Sequence, residues 1–189
     1  MSSTDTKTAL LESAQDLIQR VGVNAMSYND LSNTVGIRKA SIHYHFPKKD
    51  DLIEALLVRC GDVYVDAYRA VARSDASIPE KLEAVVGIFE DSLKKGKICT
   101  VGMLSVESVT LNEDSQKVLE ATIGRCVAMI ENIFIQGVAD GVFPQTMNTH
   151  SAAYAFHDFL FGTQIVARSL KDTEHFRRGA AMYLDMLLP

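Results

Sequence analysis

The chain has 189 residues, 47% of them apolar, with three cysteines and a formal net charge of −5; it is long enough to bury a substantial core without disulfide staples. Cys60, Cys99 and Cys126 are odd in number and too widely spaced for a zinc knuckle, which argues against a disulfide framework or a metal site and for a reducing compartment. No apolar run approaches the ~18 residues of a membrane span, and the first residues lack a signal-peptide core, so a cytoplasmic protein without a membrane partner is expected.

Apolar residues recur at three- and four-residue steps with no sustained alternation, which predicts an all-α chain of about nine helices. Thr4 or Thr6 can cap a first helix with the buried stripe Leu10, Ala14, Leu17, Ile18 and Val21, and Gly22 stops it. Ser27, with Asp30 three residues on, opens a brief second helix whose Leu31 and Val35 face inward, and Gly36 ends that one. Lys39 to His45 forms a third, and Pro47 breaks the chain before the next.

A helix of about eight residues, a three-residue turn beginning with glycine and a second short helix have the arithmetic of a helix-turn-helix. Gly36 supplies the backbone angle of the turn. With Val35, Ile37 and Ile42 as the locks between the helices, Arg38, Lys39, Ser41, His43 and Tyr44 face outward. That set is rich in hydrogen-bond donors able to meet base edges and phosphates in a major groove. Phe46 reads as a core residue tying the reading helix to the connector. The charge is unevenly spread: residues 1–50 sum to +1 and the remainder to −6, and Gly36 to Lys49 holds four cations, two histidines and no acid. Such a basic patch is what phosphate contact requires. A three-helix DNA-binding domain over 1–50 is therefore expected, followed by a second helical domain over 51–189.

The second part opens with a connector helix, about 49–73, whose stripe is Leu52, Ile53, Leu56, Leu57, Cys60, Val63, Tyr64 and Ala67. Pro79 lies in the first turn of the next helix, with Leu82, Val85, Val86, Phe89 and Leu93 as its core and Gly96 as its close. A short segment around 101–111, a helix from about Glu113 to Asp140, and two more over roughly Asn148 to Leu170 and Thr173 to Leu188 complete the chain. The helix at 148–170 is apolar around most of its circumference and must be buried on more than one side. Since one small reading head binds weakly, a symmetric dimer is expected.

The run Gly36-Ile37-Arg38-Lys39-Ala40-Ser41-Ile42-His43-Tyr44-His45-Phe46-Pro47-Lys48-Lys49-Asp50-Asp51-Leu52 resembles the signature of the tetracycline-repressor (TetR) family, and the resemblance covers about residues 5–60. It implies a transcription regulator, a repressor, that binds a palindromic operator in double-stranded DNA as a homodimer and is released by a small-molecule or electrophile inducer. It also implies that Ser27 and Tyr28 touch phosphate, that Lys39, Ala40, Ser41, His43 and Tyr44 lie against the groove, and that His45 and Lys49 clamp the backbone. Many members carry tyrosine where His43 stands and glycine where Ala40 stands, so base preference does not carry over. The last two helices are implied to pair with their copies as a four-helix bundle through Tyr154, Phe159, Phe161, Ile165, Phe176, Tyr183, Leu184 and Leu187.

The middle helices should surround a ligand pocket, with Phe89, Leu93, Met103, Leu104, Ile130, Phe134, Phe156 and His157 as candidate lining residues. Cys99 follows three lysines and precedes a short helix, a setting that lowers a thiol pKa. The segment around it is similar to that of the electrophile- and N-ethylmaleimide-responsive subgroup, which places a cysteine before Leu-Ser-x-Glu. The alternative reading of Cys99 is a small buried hydrophobe. His150 and His157 share a helical face, but two ligands without a carboxylate cluster make no metal site. No nucleophile elbow, phosphate loop, dinucleotide fingerprint or His-Glu-x-x-His is present, so neither catalysis nor a cofactor is indicated. The rival to a DNA-binding regulator is an all-helical protein-interaction module.

Overall fold

The structure is a computed structural model that describes residues 3–188. The described residues form nine α-helices and one 3-10 turn, with no strand: α1 (Ser3–Val21), α2 (Tyr28–Val35), α3 (Lys39–His45), α4 (Lys49–Arg73), α5 (Ile78–Lys94), α6 (Thr100–Val106), the 3-10 turn Ser108–Thr110, α7 (Glu113–Ala139), α8 (Thr149–Leu170) and α9 (Thr173–Leu187). They group into two compact units, one of the chain up to Gly61 with Thr100–Thr122, the other of Asp62–Cys99 with the chain from Ile123 onward. This partition differs from a boundary near residue 50. The reason is that α6 packs on α1, and that Ser115 at the start of α7 donates to Glu54 of α4 at 3.3 Å.

The first unit is built by its caps as much as by its core. The Ser27 hydroxyl accepts from the Asp30 N–H at 3.3 Å, while the Asp30 carboxylate accepts the Ser27 N–H at 2.9 Å and its hydroxyl at 2.6 Å, closing a reciprocal capping box at the head of α2. α2 ends where Gly36 turns left-handed at φ 73° and donates to Ser32 O at 3.0 Å. The Ser32 hydroxyl in turn donates to Ile37 O at 2.6 Å, so the turn into α3 is held from both sides. Leu10, Ala14 and Ile18 of α1, Leu31, Ile42, Phe46, and Leu52, Leu56 and Leu57 of α4 make the core. Complete burial of each leucine, isoleucine or phenylalanine among them is worth about 2 kcal/mol.

Four details differ from the sequence expectation. Thr4 and Thr6 lie inside α1 rather than capping it. Val21 is 52% exposed, because it is the last residue of α1, where the chain leaves the core stripe. Val35 and Ile37 are only half-buried; flanking the turn, they cover the edge of a lock made by Leu31, Ile42 and Phe46. Val63 is 60% exposed, since the buried face of α4 continues through Val65, Tyr68 and Ala72, steps of three and four residues that Val63 does not share.

In the second unit α5, α8 and α9 pack pairwise. Ser77 and Glu80 form a capping box on α5, Asn148 caps α8 by accepting from the Ser151 N–H at 2.9 Å, and Asp172 caps α9. Leu82, Val85, Val86 and Phe89 meet Phe156, Leu160, Phe176 and Leu184, with Ile130, Ile133 and Phe134 of α7 also buried. Phe176 and Leu184, expected at an interface, are instead buried within the chain; the large apolar side chains that α9 exposes are Met182 and Met186. No described helix is long and apolar enough to cross a membrane.

Candidate nucleic-acid interface

Burial of Ile42 and Phe46 fixes the rotation of α3 and leaves Arg38, Lys39, Ala40, Ser41, His43 and Tyr44 exposed, Tyr44 at 79%. Open clefts border it. Thr6, Ile37, Ala40, Ser41, Tyr44 and His45 line one; Met26, Ser27, Tyr28, Asn29, Lys39, His43 and Lys49 line the other, of about 590 Å3. His45 is half-buried, its ring edge-on to Tyr44 at 5.1 Å. His43 Nδ1 lies 3.3 Å from Pro47 O, and because a carbonyl only accepts, that bond is donated by an Nδ1–H.

Two of the expected phosphate contacts have structural engagements. The Tyr28 hydroxyl lies 2.9 Å from Phe46 O and 2.7 Å from Lys48 O, tying the start of α2 to the loop after α3, and its ring packs on His43 at 4.9 Å. Burial first, then the carboxylates of Asp51 and Asp50, push the phenol up to about 12, so it stays a donor. Lys49 donates to Val23 O at 2.5 Å and Met26 O at 2.6 Å. Burial lowers its pKa, against the opposing pull of Glu107 and Asp50. The resemblance implied that Lys49 clamps the DNA backbone; here its ammonium holds the loop between α1 and α2, whose carbonyls have no helical partners. Ser27 stays exposed at the head of α2.

Glu107, the acid of the Leu-Ser-x-Glu segment, was given no role of its own by the sequence. Its carboxylate accepts from the Val23 N–H, from the Asn24 N–H at 3.3 Å and from the Asn24 side-chain amide at 3.2 Å. It closes on Gly22, whose φ is 90° and where a Cβ would sit 2.7 Å from Glu107 Oε2. An acid 83 residues away in the chain leaves no local pattern to read.

Of the expected sensor residues, Phe89, Phe134, Phe156 and His157 are buried in the second unit, Phe89 edge-on to His157 at 6.0 Å and Phe134 to Phe156 at 6.1 Å. Met103 and Leu104 are buried in the first. Cys99 is 7% exposed, and its N–H donates to Gln164 Oε1 at 3.1 Å, while the Gln164 amide donates to Phe89 O at 2.8 Å. Of the two readings of Cys99, its low exposure beside Lys94, Lys95 and Lys97 fits the small buried side chain. Burial, then Cys99, raises the Cys126 thiol to about 12, which keeps it protonated. Tyr154, Phe159, Phe161, Ile165, Tyr183 and Leu187 are each half-buried, and Phe159 stacks on Tyr183 at 4.4 Å. His150 pairs with Glu131 at 3.1 Å and His157 with Asp158 at 3.0 Å.

Residues 10–56 match the family described as bacterial regulatory proteins, tetR family. A transcriptional regulator of the TetR family from Agrobacterium tumefaciens is 26% identical and superposes with a TM-score of 0.93 over 100% of both chains. The reduced form of NemR from E. coli superposes with a TM-score of 0.84 over 98% of both chains at 18% identity, a likeness of fold alone. The HTH-type transcriptional repressor KstR2 of Rhodococcus jostii is 29% identical over 42% of this chain, a stretch spanning only 39% of that relative.

Proposed function

We propose, from the match of residues 10–56 to the tetR family of bacterial regulatory proteins and the likeness of fold over the whole chain, that the protein is a cytoplasmic repressor of that family which binds a palindromic operator as a homodimer and is released by a small-molecule or thiol-reactive signal. The observation that carries this reading is the outward presentation of Arg38, Lys39, Ser41, His43 and Tyr44 from one short helix locked by Ile42 and Phe46. Ala40 lets the helix approach base edges closely, and Ser27, Tyr28 and His45 flank it toward the phosphates. Lys49 acts on DNA by setting the loop behind α2. Phosphate contacts give affinity and the groove-facing side chains give choice of sequence.

Dimerisation through α8 and α9 is supported by the apolar side chains they expose: Val166, Leu170, Met182 and Met186 beside the half-buried Phe159, Ile165 and Tyr183. A ligand role for the residues about Phe89, Phe156 and His157 is supported by the polar groups among them. Release requires that the ligand prefer the conformer that cannot hold operator.

A band-shift on the DNA flanking its own gene, with and without a thiol-reactive electrophile, tests the reading on wild type and Cys99→Ser. A salt-sensitive shift retained against random duplex supports the regulator over a protein-interaction module. Release of wild type but not of Cys99→Ser assigns the thiol signal to Cys99, and equal release removes it. Because Cys99 is buried, its modification should proceed more slowly than that of a free thiol and accelerate under mild denaturant.

A further inference from the structure

We propose that Glu107, which lies outside the helix-turn-helix in sequence, is a positioning residue for operator binding: with Lys49 behind it, its carboxylate sets the α1–α2 loop and so the attitude at which α2 and α3 are presented. The inference rests on the regulator reading above. The peptide groups of Val23 to Met26 lie between two helices, where neither N–H nor C=O has a helical partner. Glu107 takes the donors of Val23 and Asn24, and Lys49 takes the acceptors of Val23 and Met26. Opposite charges thus hold the loop through charge-assisted bonds, which are about twice as strong as neutral ones. The Asn24 side chain adds a third bond to the same carboxylate.

Gly22 belongs to this arrangement. Its left-handed φ of 90° disfavours other residues, and a Cβ there would lie 2.7 to 2.9 Å from the carboxylate group of Glu107, so the acid and the loop approach as closely as they do only because position 22 has no side chain. Glu107 directly follows α6, which begins at Thr100, immediately after Cys99.

The loop bears no candidate base contact, so loosening it should lower the preference for operator while leaving general attraction to DNA. The test uses the full chain, a duplex selected by the wild-type protein from a random pool, and a random duplex of equal length. Glu107→Ala and Glu107→Gln should weaken binding to the selected duplex about tenfold or more and change binding to random duplex less than about twofold, with the same salt slope. Val109→Ala, at an exposed neighbour, should leave both unchanged. Hydrogen exchange at the Val23 and Asn24 amides should accelerate in the Glu107 variants and in Gly22→Ala. Equal affinity of wild type and both Glu107 variants for the selected duplex, or a parallel loss on both duplexes, overturns the proposal. If Glu107→Ala does not fold, Glu107→Gln and the exchange rates decide it. Failure of the wild type to select any duplex overturns the regulator reading instead, and the exchange rates still report whether Glu107 holds the loop.

Discussion

Tyr28 and His43 face each other across the reading head, and each does two things at once. Tyr28 loses its hydroxyl bond to the carbonyls of Phe46 and Lys48 in Tyr28→Phe, which should cost about 1 kcal/mol in urea unfolding at neutral pH. Its folded pKa, about 12, lies above the ordinary value of 10.0, so its contribution is complete below pH 10 and is lost as pH rises through 12. The stability gap between wild type and Tyr28→Phe should therefore close across that window. His43, with Nδ1–H directed at Pro47, leaves Nε2 as the ring nitrogen for a base edge. Under the proposed function His43→Ala should relax selection at one base position by about 1 to 3 kcal/mol, whereas Arg38→Ala, outside the set placed against the groove, should weaken all duplexes alike and reduce the salt slope by about 1. Selection from a random pool and a salt titration separate the two.

Among the elements, the short helices α2 and α3 depend on their ends, because neither is long enough to hold itself. Gly36 is the sharpest example. A Cβ there would meet nothing within 4 Å, so Gly36→Ala tests backbone conformation alone, and its left-handed φ of 73° should cost about 1 to 2 kcal/mol in thermal or urea unfolding. The longer α4 and α5 were legible almost to the residue, since Leu52, Leu56 and Cys60, and Leu82, Val86 and Phe89, repeat at helical steps. Periodicity failed where a helix carried more apolar residues than one face can bury: Val63 on α4 and Val21 at the end of α1 are hydrophobic yet exposed.

At the scale of the molecule, the question is which apolar surface belongs to the core and which to a partner. On α9, Phe176 is buried while Met182 and Met186 are exposed, the latter at 80%. Met186→Glu should convert the proposed dimer to monomer in sedimentation with its melting otherwise cooperative, whereas Phe176→Ala should destabilise the fold by about 3 to 5 kcal/mol. An unchanged dimer in Met186→Glu would place the interface elsewhere.

By itself the sequence determined the all-α class, the helix-turn-helix and the outward set on α3, because periodicity, capping residues and glycine stops act within a few positions of one another and are written locally. Only the tertiary structure decided that Glu107 and Lys49 close on the loop of residues 22–26, that Cys99 is buried against the Gln164 amide, and that Phe176 and Leu184 are core rather than interface. Those facts join residues far apart in the chain, where a charge or a phenylalanine looks the same whether a partner meets it or water does.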